Sequence, residues 1–287
     1  MIKLNKILQD AVVIVDGMNE FYKNYYKLRM SIGENVAGFY GTIRSVLSYR
    51  KLGRKVIVVW EGSSSKRKQE NKDYKANRTS KNKQFYEQIA DCKEFLANFV
   101  VQYQVSEYES DDMLATIAWS NDKKGKKSII VTNDDDLHQV INENISVYCS
   151  SKKIMWNLKN LKYHIDASKL VLLWALEGDA SDNIFGIKGI RKKEELVEKY
   201  FEWDKNEDLK IVLDNFVFEL EGHNEKAAKV IKENYYKILN NMNLIRLRVV
   251  PKENYAKIEK SIEPGFLIKK HNCPSLLNYL EGELING

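Results

Sequence analysis

Val12-Val13-Ile14-Val15-Asp16 and Val56-Ile57-Val58-Val59-Trp60-Glu61 decide the fold, because each is a β-branched run that stops on a carboxylate or just before one. Runs of this composition read as strands buried on both faces. Between them, residues from about 36 to 51 carry apolar side chains at helical spacing, which makes a βαβ unit. Ser128-Ile129-Ile130-Val131-Thr132 follows a helix-like stretch from Asp112 to Trp119, and Ile145–Cys149 follows Asp136 to Ile141. The alternation predicts an α/β fold with a mainly parallel central sheet flanked by helices.

Sheets of this kind bind ligands outside the carboxyl ends of their strands. Asp16, Glu61, Asp134 and Asp136 all fall there, and Glu109-Ser110-Asp111-Asp112 and Asp179-Ala180-Ser181-Asp182 add acids at the ends of other apolar runs. One at a time each has a plain explanation. Asp16-Gly17 suits a turn, Asp134 suits a helix cap, and Asp111 and Asp112 complement a helix dipole by ~0.3–1 kcal/mol. Caps, however, have no reason to collect at one edge of a sheet. Clustered carboxylates repel one another and are tolerated around cations, which points to Mg²⁺ or Mn²⁺ held by oxygen ligands and to metal-dependent phosphodiester hydrolysis.

At 287 residues the chain can bury one large core or two modest ones. Cys92, Cys149 and Cys273 are odd in number, widely spaced and without a CxxC pair, which argues against a disulfide framework or a thiolate metal site and for a reducing, cytoplasmic setting. The Met-Ile-Lys-Leu-Asn start has no apolar signal core, and no apolar run is long enough to span a membrane. The net charge of +6 is modest, but its distribution is uneven. Lys66, Arg67, Lys68, Lys72, Lys75, Arg78, Lys81 and Lys83 are opposed only by Glu70 and Asp73. This is either a solvated loop or a site for a polyanion.

After about residue 157 the pattern turns helical, over 168–177, 192–201, 207–220 and 224–240. The segment Gly178-Asp179-Ala180-Ser181-Asp182-Asn183-Ile184-Phe185-Gly186-Ile187-Lys188-Gly189-Ile190-Arg191-Lys192-Lys193 reads as a helix-hairpin-helix. Gly186 and Gly189 would allow tight turns, and the next helix would offer its amides to a phosphate beside Lys188, Lys192 and Lys193. A purely structural hairpin is the other reading.

Ile14-Val15-Asp16-Gly17-Met18-Asn19, Asp73-Tyr74-Lys75-Ala76-Asn77-Arg78, Glu109 through Ala115, Thr132-Asn133-Asp134-Asp135-Asp136-Leu137-His138-Gln139 and Gly178 through Ile190 stand in one order. In them the chain resembles the 5′-nuclease superfamily of flap endonucleases and 5′→3′ exonucleases, especially the stand-alone bacteriophage enzymes and the 5′-nuclease domain of bacterial DNA polymerase I. The likeness spans about residues 11–250. It implies a PIN-like nuclease core over 1–157 with a basic helical arch at about 66–99. It also implies a helical domain over 158–250 with the helix-hairpin-helix at about 178–200, and leaves 251–287 as an extension without an assigned role.

The resemblance further implies two Mg²⁺, with Mn²⁺ as a substitute, and a monovalent cation at the hairpin. Asp16, Glu61, Glu109, Asp111 and Asp134 would serve one divalent metal and Asp136, Asp179 and Asp182 the other, with Asp112 shared between them or behind them. Lys75 and Arg78 would reach the scissile phosphate, and Arg67 and Lys23 would contact DNA. Tyr22 and Tyr74 are candidates for stacking on unpaired bases or for ordinary packing. Three positions depart from the family pattern: Glu61 replaces Asp, Arg191 replaces the second hairpin Gly, and Trp174 stands where some phage members carry Lys. The expected activity is hydrolysis of branched DNA with a free 5′ end, including RNA-primed flaps, by a monomer working beside replication proteins in a bacterial host. A PIN-like ribonuclease and a non-catalytic branched-DNA binder are the competing readings.

Overall fold

The computed structural model describes residues 11–50, 55–62, 65–77, 79–204 and 207–277. Its strands are β1 (Val12–Asp16), β2 (Val56–Trp60), β3 (Val101–Val105), β4 (Ser128–Val131), β5 (Ile145–Cys149), β6 (Ile154–Trp156), the two-residue pair β7 (Gly178–Asp179) and β8 (Ile184–Phe185), and β9 (Tyr255–Lys257). Seven of them form one sheet in the order β6-β5-β4-β1-β2-β3-β9. β1 through β5 pair in parallel, while β6 and β9 close the two edges antiparallel. Every residue of β2 and β4 is buried, as strands covered by helices on both faces require. β1 lies between β2 and β4, so Asp16 emerges at the centre of the carboxyl edge.

Two helices, α1 (Gly17–Ile32) and α2 (Ala37–Arg50), connect β1 to β2. Sequence periodicity finds only the second, because α1 is rich in Lys, Asn and Tyr and buries an aromatic stripe, Phe21 and Tyr25. The partner helix makes room for that stripe: a Cβ on Gly38 would fall 2.2 Å from the Phe21 ring. Next come α3 (Ser65–Glu70), α4 (Lys83–Leu96) and α5 (Ser110–Asp122).

The segment over 66–99, expected as a helical arch, divides into two parts. α4 buries Phe85, Ile89, Cys92, Phe95 and Leu96 in the core shared with α2 and the sheet, so residues 83–96 cover the sheet and not the site. What crosses the acidic edge is a shorter strap of α3 and the turns that follow it to residue 77.

The second lobe contains α6 (Leu170–Glu177), α7 (Lys193–Tyr200), α8 (Leu209–His223), α9 (Glu225–Glu233) and α10 (Tyr235–Ile245). The single helix expected over 224–240 is two, broken at Asn234. Their apolar faces gather Leu172, Val197, Phe201, Leu213, Phe216, Leu220, Ile231, Ile238 and Met242 into one core, to which Tyr74 from the strap also belongs. The chain then returns to the first lobe. β9 pairs with β3, and Leu267 and Ile268 of α11 (Pro264–Lys270) join Cys273 and Leu276 in the core under α4. Asp91 of α4 accepts from Lys270 Nζ at 2.6 Å and lies 2.7 Å from His271 Nε2, whose ring stacks on Phe39 at 4.0 Å. Residues 251–277 therefore pack as part of the first lobe.

Leu267→Ala is expected to lower the free energy of unfolding in urea by about 2–5 kcal/mol. Its exposed neighbour gives the control: Phe266→Ala is expected to change it by less than about 0.5 kcal/mol.

Candidate active site

The acids at the carboxyl edge are held by polar neighbours that the sequence did not single out. Asp16 caps α1, with Oδ1 accepting from the Asn19 amide at 3.0 Å and Oδ2 from Thr132 Oγ1 at 3.0 Å. Thr132 in turn accepts from the Asp134 amide at 3.1 Å, so one hydroxyl ties the ends of β1 and β4 together. Glu61, just past β2, accepts from Ser110 Oγ at 2.5 Å and from the Ser110 amide at 3.3 Å. That contact brings it to the N-terminus of α5, where Glu109 is the cap residue and Asp111 sits in the first turn. Asn19, Ser110 and Thr132 lie inside the quoted motifs, but their roles depend on contacts between segments far apart in sequence.

A second group forms where the helical lobe meets this edge. Asp136, Asp179 and Asp182 place one carboxylate oxygen each within 4.8 Å of the others. The β7–β8 hairpin carries the last two, and its closeness to α6 demands glycine. A Cβ on Gly178, at φ 85°, would lie 2.4 Å from the Gly186 amide, and one on Gly186 would lie 2.0 Å from the Glu177 carbonyl. The strap reaches between the groups. Lys75 Nζ lies 2.7 Å from Glu109 and 3.4 Å from Asp182, and the Lys75 amide donates to the Asp182 carbonyl at 3.2 Å.

Several expected DNA contacts are placed differently. Tyr74 is buried, and its hydroxyl lies 3.1 Å from Glu109 and 3.0 Å from Asp182, so it bridges carboxylates and does not offer a ring to a base. Tyr22 is half-buried and packs on Phe85, with ring centroids 5.0 Å apart. Lys23 pairs with buried Glu20 and donates to Ser150 Oγ at 3.0 Å. Arg67 is 3% exposed and Asp112 0% exposed, and they pair with each other through two hydrogen bonds of 2.6 and 2.8 Å. Arg67 and Asp112 thus commit their hydrogen-bonding groups to each other, while Arg67 also lines the cavity edged by Glu109, Asp136, Asp179 and Asp182. Within the hairpin, Lys188 and Arg191 are exposed, Lys192 is exposed beside Glu195, and Lys193 donates to the Leu176 carbonyl at 2.7 Å, which closes α6 onto α7. Trp174 is buried edge-on to Tyr163 at 5.6 Å. Arg78 lies outside the described residues.

Burial is the first cause that raises the pKa of these acids, and mutual repulsion is the next. Asp16 is pushed up to about 7 by burial and by Glu61 and Asp134, against the opposing hydrogen bonds from Asn19 and Thr132. Burial likewise lifts Asp111, with Asp134, Asp16 and Glu61 adding to it, and Asp136, with Asp134, Asp182 and Asp179 adding to it. Asp134 and Glu61 move in the same direction. A group of all-oxygen donors that resists ionisation until a cation arrives fits a hard divalent metal. Asp136, Asp179 and Asp182 could hold one ion, and Asp16, Glu61, Glu109, Asp111 and Asp134 could face another.

The raised pKa values set the sign of a pH effect. A carboxyl whose folded pKa lies above its unfolded value stabilises the fold while it is protonated, and that contribution is lost as pH rises through the folded value. For Asp16 the window runs from near 4 to about 7. The rise in Tm on adding Mg²⁺ is therefore expected to grow from about pH 5 to about pH 8, as protons cease to compete with the metal. Differential scanning fluorimetry with and without Mg²⁺ checks this, and an increment independent of pH would contradict it.

Comparison with known proteins agrees with this geometry. Residues 11–166 match the model of the 5′-3′ exonuclease N-terminal resolvase-like domain. The chain is 31% identical over 240 residues to a 5′-3′ exonuclease of Buchnera aphidicola subsp. Schizaphis graminum, covering 79% of this chain and 82% of that one. It is 34% identical over 191 residues to the thermostable DNA polymerase I of Thermus thermophilus, covering 63% of this chain and 23% of the polymerase. Its fold is similar to that of the bacteriophage T5 D15 flap endonuclease, solved in a complex with DNA and metal ions, with TM-score 0.67 and 18% identity over 96% of this chain and 98% of that one. The chain belongs to the 5′-3′ exonuclease family and is a 5′ nuclease.

Proposed function

We propose that the protein is a two-metal, structure-specific 5′ nuclease, acting as flap endonuclease and 5′→3′ exonuclease on branched DNA with a free 5′ end and leaving 5′-phosphate and 3′-hydroxyl ends. The observation that carries this reading is the meeting of acids from β1, β2, α5 and the end of β4 with Asp179 and Asp182 of the helical lobe at one sheet edge. Bound Mg²⁺ would supply a hydroxide nucleophile at neutral pH and stabilise the leaving oxygen. The Buchnera relative and the metal-bearing T5 structure support the reading.

The chain's own groups then have separable tasks. Lys75 carries positive charge to the place where the non-bridging oxygens of a phosphate would gather negative charge. Tyr74 stands between Glu109 and Asp182, with its one hydroxyl proton within hydrogen-bond reach of either carboxylate. Beyond the site, exposed Lys188 and Arg191 beside the Gly189 turn suit the phosphates of a duplex arm, which such a hairpin contacts without reading sequence. A monovalent cation at this hairpin, primer removal during replication, RNA-primed flaps, monomeric action and a cytoplasmic site of work are the corresponding biological reading. Among the described residues, no helix is long and apolar enough to cross a membrane.

The decisive experiment is cleavage of a 5′-labelled flap duplex by wild type and Asp111→Asn, each in Mg²⁺ and in EDTA. The expected result is cutting near the junction that vanishes with either change. Binding without cutting would favour a branched-DNA binder, and preference for a matched RNA flap would favour a ribonuclease. Lys75→Ala is expected to lower kcat by about 10²–10³-fold while leaving DNA affinity nearly unchanged. Equal losses in turnover and affinity would overturn the role given to Lys75.

A further inference from the structure

We infer that Asp112 and Arg67 form a buried latch that sets the two acid groups and Lys75 in register, and that neither residue touches metal or DNA. The inference rests on the nuclease reading and assigns two of its motif residues to positioning. Asp112 has no acceptor site to spare. Oδ1 accepts from Arg67 at 2.8 Å and from the Arg248 amide at 2.9 Å, and Oδ2 accepts from Arg67 at 2.6 Å and from the Glu109 amide at 3.3 Å. A carboxylate offers about four lone-pair sites, and all are occupied by protein.

Arg67 is equally committed. Besides its two bonds to Asp112, Nε donates to the Leu244 carbonyl at 2.8 Å, a terminal nitrogen donates to the Arg246 carbonyl at 3.0 Å, and the other lies 3.3 Å from Glu109. A guanidinium has five N–H donors in a fixed fork, and five acceptor oxygens from four residues surround this one.

The latch joins three chain segments. The first is the strap. Arg67 lies on α3, and backbone bonds from Asn71 to Arg67 and from Tyr74 to Asn71 carry its position forward to Lys75. The second is the N-terminus of α5, where Asp112 and Glu109 cap each other in a capping box. The third is the chain leaving α10. There Arg248 also clasps Glu70 of α3 at 2.6 and 2.8 Å. Asn241, one turn earlier, donates to the Ala175 and Phe185 carbonyls at 2.9 and 3.0 Å and so fixes the hairpin that bears Asp179 and Asp182. Loss of the latch would shift the helical-lobe acids and Lys75 against the sheet-edge acids, and a displacement near 1 Å at a reacting centre costs about 10²-fold in rate.

The test compares wild type, Asp112→Asn, Arg67→Gln, the double variant and Asp111→Asn. The double variant leaves a neutral hydrogen-bonded pair with no unpaired buried charge, so its fold is protected if a single change proves too damaging. Arg67→Lys, which keeps the charge but loses the fork, serves the same purpose. Three measurements are made: Mn²⁺ binding without DNA by calorimetry, trypsin cleavage of the strap between Lys72 and Lys81, and flap cleavage in Mg²⁺.

The latch variants are expected to keep Mn²⁺ binding by the sheet-edge acids and to weaken it at the Asp136, Asp179 and Asp182 group that the two lobes share, whereas Asp111→Asn loses the former. Strap cleavage is expected to accelerate, and kcat to fall about 10- to 100-fold with KM for the flap unchanged. The loss in the double variant should equal that of one single change and not the product of the two. Loss of the sheet-edge Mn²⁺ site in Asp112→Asn would make it a ligand, and KM raised only in Arg67→Gln would make it a phosphate contact. Wild-type kcat in the single variants, or multiplying losses, would mean there is no latch. A wild-type protein that cuts no flap would overturn the nuclease reading alone, because metal binding and strap protection still decide the latch.

Discussion

Like charges confined at one mouth of a buried sheet are the constraint on which the rest of this structure depends. Each carboxylate that leaves water loses solvation, and each neighbour of the same sign adds repulsion. The protein meets this in three ways. Hydrogen bonds from Asn19, Thr132 and Ser110 stabilise Asp16 and Glu61 locally. Lys75 and Arg67 place positive charge beside Glu109. The remainder is left as carboxyls reluctant to ionise, whose mutual repulsion a divalent cation would relieve once their protons are lost.

The same constraint explains the division of labour between the lobes. One sheet edge cannot supply every acid without crowding them, so Asp179 and Asp182 come from a hairpin whose glycines let it press against α6. The two lobes must then be held in fixed register. Buried Asp112, Arg67 and Asn241 lie along the path that does this, and the hydroxyl of Tyr74, part of the helical-lobe core, lies within hydrogen-bond reach of acids from both sides. The C-terminal segment adds rigidity from behind, where Asp91, Lys270 and His271 tie α11 to the helix that lies beneath it.

The sequence by itself determined four of the five parallel strands, because β-branched runs such as Val12–Asp16 and Val56–Trp60 suit burial between helices, whereas β3, with its Gln and Tyr, gave no such run. It also determined that Asp16, Glu61, Asp134 and Asp136 share an edge, since the strand ends they follow are aligned by the parallel register. It did not reveal α1, whose buried stripe is aromatic and meets glycines in α2, nor β9, a three-residue edge strand with no periodicity to detect. Only the tertiary structure decided what the charged motif residues do. Lys75, Arg67 and Lys193 are alike in sequence as solvated cations, yet one faces two carboxylates, one is enclosed by acceptors from four residues and one closes a helix end. Adjacent Asp111 and Asp112 likewise point to different neighbours. The physical reason is that charge is a property of the residue, whereas desolvation and partner are set by segments more than a hundred positions away, as Leu244 and Arg248 are from Arg67 and Asp112.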